Sequence, residues 1–198
     1  YGEGSKTMAY EIAEQLGWRA PSAVVTPMAG GSLVGKLAKG FGELERLGWI
    51  DGPAPRLFGA QPAGCAPIVH AVQNATETLT PVRPNTRVRS LAIGDPVDGP
   101  WAVRAILESG GWALPVPDPE MVEGMTMLAE FGGIFAETAG GVTMAAARRL
   151  AAEGWLTPDD EVVLCSTGNG LKTLEAIDGA LDPGPVIGPH LSELERLL

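Results

Sequence analysis

Apolar residues recur along the chain with two different spacings. Met8, Ile12 and Leu16 follow one another at the spacing of one helical face, and Gly17 then ends the pattern. Residues 23–26 form a continuous, mostly β-branched run beside a proline, which predicts a short strand buried on both faces. The same two patterns predict helices at 33–47, 102–109, 119–131, 142–153 and after 170, and strands at 57–60, 112–116 and 161–165, with a strand end at 90–96.

The order of these elements indicates the fold class. Helix, strand, glycine loop, helix and strand in succession are typical of right-handed crossover units in a parallel sheet. We therefore expect an α/β fold, with a mostly parallel sheet flanked by helices in three layers. Residues 76–85 are polar with two prolines and predict an exposed loop. We expect residues 1–181 to form the main domain and the proline- and glycine-rich residues 182–198 to form a peripheral tail.

Composition narrows the possible functions. The 198 residues carry a net charge of −10 and have no Lys/Arg-rich run, which argues against nucleic-acid binding. No apolar run approaches ~18 residues, so we expect no membrane span and a cytoplasmic protein. Cys65 and Cys165 are far apart, and neither they nor His70 and His190 show a metal-binding spacing. We predict no metal site and two reduced cysteines in the core.

A small-residue loop follows the first predicted strand, in the segment TPMAGGSL at residues 26–33. A strand, then glycines, then a helix present free backbone amides at the positive end of the helix dipole, which suits a phosphate group. Gly30 and Gly31 let the backbone approach such a phosphate group closely, and the hydroxyl of Ser32 can add a hydrogen bond to it. The segment is neither GxGxxG nor GxxxxGK[ST], and a plain tight turn is the alternative.

Two further segments carry polar groups between small residues. In CSTGNGLK, residues 165–172, Thr167 and Asn169 follow an apolar strand and offer neutral hydrogen-bonding groups to a heterocycle, unless the segment is only a glycine-rich connection. In FAETAGG, residues 135–141, Glu137 lies in an otherwise small, apolar stretch. We expect its carboxylate to find a partner in the amides of the next helix, and we favour this capping role over direct catalysis.

Five blocks taken in order resemble one family: EGSKTMAYEIAEQLGW, VVTPMAGGSLVGKLAKGF, SLAIGDPVDG, GIFAETAGGVT and VVLCSTGNGLK. They are similar to the threonine synthases among the fold-type-II pyridoxal-phosphate enzymes, from residue 1 to about residue 172. The resemblance implies the large domain of the tryptophan synthase β-like architecture and pyridoxal 5'-phosphate as cofactor. It also implies that the cofactor-binding residues are Ala29, Gly30, Gly31, Ser32 and Leu33 around the phosphate, Ile93 and Gly94 beside the ring, and Thr167 at the pyridine nitrogen.

The resemblance implies an activity as well: O-phospho-L-homoserine and water are converted to L-threonine and phosphate, in amino-acid biosynthesis. A homodimer is common in that family. A neutral hydroxyl at residue 167 does not enforce protonation of the ring. A threonine or serine dehydratase, another fold-type-II lyase and a non-catalytic ligand-binding module stay open as alternatives. A nucleotide-binding domain is disfavoured because no acidic residue stands at the ribose position after the second strand.

The sequence departs from the family in one respect. Full members are considerably longer, and their Schiff-base lysine lies upstream of the EGSKT block with which this chain begins. Lys6 matches the downstream block, and Lys36, Lys39 and Lys172 are expected to be solvated on helices. The catalytic residues therefore stay unidentified. We expect the 198 residues alone to be an inactive fragment that binds the cofactor at most weakly and without a covalent bond.

Overall fold

One parallel sheet carries the fold, and the computed structural model describes residues 3–179 and 184–197. Its order is β3-β2-β1-β4. The strands are β1 (Ala23–Pro27), β2 (Arg56–Pro62), β3 (Ala113–Val116) and β4 (Val162–Leu164). Val25 of β1 pairs with Phe58 on one side and Leu164 on the other, and every residue of β1 is buried. The predicted β-branched run is thus the fully covered strand, as expected for a parallel sheet.

Helices cover both faces of the sheet. The helices of the described residues are α1 (Thr7–Gln15), α2 (Ser32–Arg46), α3 (Pro67–Gln73), α4 (Gly99–Glu108), α5 (Asp118–Gly132), α6 (Thr138–Ala152) and α7 (Leu191–Leu194), of which α7 buries no residue. Val24 and Leu57 point to the core formed with α1 to α4, whereas Val25 and Phe58 point to the core formed with α5 and α6. Successive side chains of a strand therefore point into different cores, one on each face of the sheet. The predicted three-layer α/β fold is confirmed.

Helix α5 packs closely on α6 because both carry glycine at the contact. A Cβ added at Gly124 would lie 2.2 Å from the carbonyl oxygen of Gly141, and one added at Gly141 would lie 2.3 Å from the carbonyl oxygen of Met121. The backbones of the two helices are therefore in direct contact at these glycines.

Two local predictions are wrong. Residues 90–96 are not a strand end: a 3₁₀ turn, Arg89–Leu91, and a loop take their place outside the sheet, and the turn buries Leu91 in the core. The sequence places Asp118 as the cap of the predicted helix at 119–131, but Asp118 is instead the first residue of α5. Its carboxylate instead accepts hydrogen bonds from the Thr86 hydroxyl at 2.6 Å and the Arg87 amide at 2.8 Å, and so anchors the preceding loop.

The end of the chain also differs from the prediction. The helix expected after residue 170 is a 3₁₀ stretch, Gly170–Ala176, with non-helical backbone angles at Thr173. Part of the predicted tail, residues 182, 183 and 198, lies outside the described residues, so the division at residue 181 stays a prediction. Within the described ranges, no helix combines the length and apolarity that crossing a bilayer requires.

Candidate functional site

The strand order creates a crevice at the carboxyl ends of β1 and β4. The chain runs from β1 outward to β2 and β3 and then returns to β4 on the other side of β1. Ligands of open parallel sheets bind where the strand order reverses in this way. A cavity of 260 Å³ lies there, lined by Pro27, Met28, Ala29, Gly30, Gly31, Ser32, Leu33, Ser90, Leu91, Glu137, Ala139 and Thr167. Both strand-end loops singled out in the sequence therefore open into one cavity.

One wall of the cavity is the loop between β1 and α2. The backbone amides of residues 29–33 have no hydrogen-bond acceptor among the described residues, and Gly31, the N-cap of α2, provides no side-chain cap. Free amides at the start of a 15-residue helix favour a bound anion. The wall therefore offers a cradle for a phosphate group, as the loop sequence predicts.

The two glycines of this loop serve different purposes. Gly31 has a φ of 93°, and an added Cβ would lie 2.9 Å from the Cβ of Ala102, so the fold itself requires glycine there. At Gly30 the nearest atom to an added Cβ is the Cδ1 of Ile93 at 3.8 Å, and the backbone is not left-handed. Because the fold does not require glycine at residue 30, its missing side chain leaves open space beside the free amides.

The hydroxyl of Ser32 is already engaged. It donates a short hydrogen bond to the carboxylate of Asp98, which immediately precedes α4. This contact ties the loop to α4 and uses the hydroxyl proton. The donors that remain for an anion are therefore the backbone amides.

The opposite wall contains a buried carboxylate. Glu137 is 4% exposed; its Oε2 lies 2.8 Å from the Nζ of Lys172 and its Oε1 lies 3.3 Å from the Oγ1 of Thr167. Although Glu137 stands at the N-cap of α6, its side chain accepts no hydrogen bond from that helix. The predicted capping role is thus wrong, since a cation and a hydroxyl occupy the carboxylate.

Other predicted positions lie around this cavity. Ile93 approaches Gly30, whereas Gly94 packs against the loop backbone, with the Val82 amide donating to its carbonyl oxygen at 2.9 Å. Ser90 and Leu91 line the cavity in their place. Sequence reasoning missed these two because it expected a strand at the 3₁₀ turn. Asn169, the other predicted polar group, accepts from the Leu171 amide at 2.9 Å and caps the following 3₁₀ stretch.

The four lysines of the chain are all paired with carboxylates. Lys6 lies 2.7 Å from Glu3 and 2.9 Å from Glu43, and these hydrogen bonds hold the pKa of its ammonium above the usual range. The pairs formed by the other lysines are Lys36–Glu3 at 3.8 Å, Lys39–Glu3 at 2.7 Å and Lys172–Glu137 at 2.8 Å. A nucleophilic amine needs the opposite environment, one that lowers its pKa.

A larger cavity, of 450 Å³, lies elsewhere. Its lining includes Trp18, Trp49, Leu47 and the carboxylate of Glu43. That carboxylate already binds Lys6, and the walls are mainly apolar and carry no cluster of free amides. The smaller cavity at the strand ends is therefore the better candidate for a phosphate-bearing ligand. Among the residues with described positions, no group of three or more His, Cys, Asp or Glu side chains could hold a metal ion.

Known proteins match this chain over most of its length. The sequence pattern of the pyridoxal-phosphate dependent enzymes matches residues 1–168. Threonine synthase of Methanocaldococcus jannaschii is 37% identical over 197 residues, which are 99% of this chain and 48% of the relative. Threonine synthase of Methanosarcina acetivorans is 32% identical over the same shares. The chain spans about half the length of the curated relatives that it matches.

Solved structures share the fold. The processed form of threonine deaminase isoform 2 from Solanum lycopersicum superposes with a TM-score of 0.70 at 18% identity, covering 89% of this chain and 47% of that protein. Maize serine racemase gives a TM-score of 0.64 at 22% identity, covering 90% and 52%. At these identities the likeness establishes the architecture and leaves the reaction to other observations.

Proposed function

The chain belongs to the family of pyridoxal-phosphate dependent enzymes, and from this premise we propose that its protein carries out the threonine synthase reaction. In that reaction, O-phospho-L-homoserine and water give L-threonine and phosphate. The observation that carries the proposal is the 37% identity to a threonine synthase over 197 residues. The amino-acid substrate, like the reaction, is part of this proposal, and a homodimer stays a prediction.

The cavity at the strand ends fits the cofactor. The phosphate group of pyridoxal phosphate suits the free amides of residues 29–33, and the open space at Gly30 admits a group close to the backbone. When bound, pyridoxal phosphate supplies an electron-withdrawing ring that stabilises negative charge on an amino-acid substrate. The roles of the chain's own residues are to hold the phosphate at this loop and to orient the ring from Ile93 and Thr167, while Gly94 fixes the backbone of the segment that bears Ile93.

We assign the covalent attachment of the cofactor to none of the four lysines of this chain. Each one is paired with a carboxylate, and the ammonium of Lys6 is held more strongly protonated than a free lysine. Borohydride reduction of the cofactor-bound protein, followed by peptide mapping, tests this assignment. We expect no modified peptide that contains any of these four lysines, and a reduced cofactor on one of them would overturn the assignment.

The reaction itself is tested on the complete protein with two assays. One measures phosphate and threonine formed from O-phospho-L-homoserine, and the other measures keto acid formed from threonine. We expect the first activity to dominate. Keto acid as the main product would indicate a dehydratase instead. Cofactor binding without either activity would indicate a non-catalytic binding module.

A further inference from the structure

A third cavity lies between α2 and α4, and we call it the α2–α4 cavity. Its volume of about 320 Å³ lies within the range of small-molecule sites, and its lining consists of Gly31, Ser32, Gly35, Lys36, Lys39, Asp98 and Trp101. Only Gly31 and Ser32 of this lining also line the cavity at the strand ends. The α2–α4 cavity is therefore a separate space that shares one edge with the proposed cofactor site.

Two lysines on α2 offer hydrogen-bond donors to the α2–α4 cavity. The ion pair of Lys36 with Glu3 is 3.8 Å long, and within the described residues Lys36 donates no hydrogen bond. Lys39 donates to Glu3 at 2.7 Å, but an ammonium has three N–H donors. Glu3 also pairs with Lys6, so three ammoniums share this one carboxylate. The two lysines of the cavity therefore keep donors for a carboxylate group of a ligand.

A carboxylate belongs to the same lining. Asp98 accepts a hydrogen bond from the Ser32 hydroxyl, and an ionised carboxylate has further lone pairs for a second donor. Asp98 would repel a ligand that carried only negative charge, whereas a ligand with both charges satisfies the lysines and Asp98 together. A free α-amino acid is such a ligand, because its carboxylate and its ammonium are attached to the same carbon atom.

An aromatic ring completes the lining. Trp101 is 63% exposed, and the guanidinium of Arg104 lies over its ring at 5.1 Å. Arg104 is in turn paired with Glu77 at 2.6 Å, so the ring has a fixed neighbour. Gly35 leaves open space beside the ring, since an added Cβ would lie 3.9 Å from the Cβ of Trp101. The exposed indole and this space suit an apolar side chain.

We propose that the α2–α4 cavity binds a free α-amino acid with an apolar side chain. The carboxylate of the amino acid binds Lys36 and Lys39, and its ammonium binds Asp98. Its side chain packs against Trp101 in the space beside Gly35. The inference goes beyond the proposed function, because this binding requires neither the cofactor nor a particular reaction.

The test uses the complete protein labelled with 5-fluorotryptophan, with L-leucine as the probe. The ¹⁹F resonance of Trp101, identified by its loss in Trp101→Phe, reports binding at this cavity independently of any turnover. We expect a saturable shift with a Kd of about 1 mM or lower. Two analogues test the two charges: 4-methylpentanoate lacks the ammonium, and 3-methylbutylamine lacks the carboxylate. We expect each analogue to bind about tenfold more weakly than leucine.

Variants of the lining test the role of each group. Lys36→Met should raise the Kd for leucine about threefold to tenfold, and Lys36→Arg, which keeps the cation, should restore it. Asp98→Asn keeps an oxygen acceptor but removes the charge, and should weaken binding to a similar extent. Gly35→Ala places a methyl group in the cavity and should also raise the Kd. Gly42→Ala is the matched control on α2, because nothing lies within 4 Å of its added Cβ, and should leave the Kd unchanged.

Several results would overturn the inference. They are a Trp101 resonance that does not move with leucine up to about 10 mM, equal affinity for leucine and either analogue, or unchanged affinity in both Lys36→Met and Asp98→Asn. A changed absorbance of the cofactor with no movement of the Trp101 resonance would also overturn it, since leucine would then bind at the cofactor alone.

Phosphate release from O-phospho-L-homoserine, measured on the same samples, tests the proposed function separately. Leucine binding at Trp101 without phosphate release would refute the threonine synthase reaction alone. Phosphate release without leucine binding would refute the amino-acid site alone.

Discussion

Replacing Gly30 by alanine tests whether glycine at this position is required for cofactor binding and not for folding. The added Cβ would lie 3.8 Å from the Cδ1 of Ile93, an ordinary van der Waals contact, and the backbone there is not left-handed. The unfolded chain loses conformational freedom, so we expect the free energy of unfolding to stay unchanged or to rise by about 0.4–1 kcal/mol. The same Cβ takes the space beside the free amides that a phosphate must approach. Losing a charge-assisted hydrogen bond costs about 1.5–3 kcal/mol, which raises the Kd for the cofactor roughly tenfold to a hundredfold.

Calorimetric titration with pyridoxal phosphate and thermal unfolding measure both effects on Gly30→Ala. Gly42→Ala is the matched control on α2: nothing lies within 4 Å of its added Cβ, and we expect slightly higher stability with unchanged affinity. Gly31→Ala should instead lower the free energy of unfolding by about 2–4 kcal/mol, because it combines a left-handed backbone with a 2.9 Å contact to Ala102. Unchanged affinity in Gly30→Ala, or destabilisation equal to that of Gly31→Ala, would refute the reasoning.

Three other results are expected. Gly124→Ala places a Cβ 2.2 Å from a backbone oxygen of α6 and should destabilise the protein by about 2 kcal/mol or more in a urea titration, and an unchanged midpoint would contradict the packing. The Lys39 ammonium lowers the pKa of Glu3 from 4.5 to about 2, so the stability from this pair should be present above pH 4.5 and lost as pH falls toward 2. A Glu3→Gln variant that loses as much stability on acidification as the unmodified protein would contradict this. Burial raises the pKa of the Cys165 thiol to about 11, and Cys65 is also buried. Thiol reagents at pH 8 should therefore label neither cysteine until the protein unfolds, which mass spectrometry can measure.

Local patterns were sufficient to predict the strand, glycine loop and helix that form the proposed phosphate site. The strand is buried on both faces, and α2 buries Val34, Leu37 and Phe41 along one side. Both patterns are set by residues close in sequence, so periodicity detects them. The parallel sheet and its layers follow from the order of such elements.

Helix α3 was missed because it lacks a polar face. Five of its seven residues are buried, so no helical period shows in residues 67–73. Its first turn is capped from outside, since the Oε1 of Gln61 in β2 accepts from the amides of Ile68 at 2.9 Å and Val69 at 3.1 Å. A helix defined by tertiary burial and a remote cap leaves little local signal.

The second wall of the cavity depends on contacts between distant segments. Glu137 and Lys172 are 35 positions apart, and the pairing of the segment before α6 with the loop after β4 brings them together. Similarly, Ser90 and Leu91 reach the cavity because the loop backbone is fixed by contacts such as the hydrogen bond between Val82 and Gly94. The sequence identified Glu137 and Thr167 one by one, but their interaction is a property of the folded chain.

A titration of ¹⁵N-labelled protein with pyridoxal phosphate, followed by amide chemical shifts, tests the central claim that the cavity between β1 and β4 holds the cofactor. The account predicts that the largest shifts fall on the amides of residues 29–33, with smaller shifts around Thr167. Inorganic phosphate alone should shift residues 29–33 and leave Thr167 unchanged. Shifts centred on Trp18 and Trp49, in the larger cavity, with none in residues 29–33, would contradict the account.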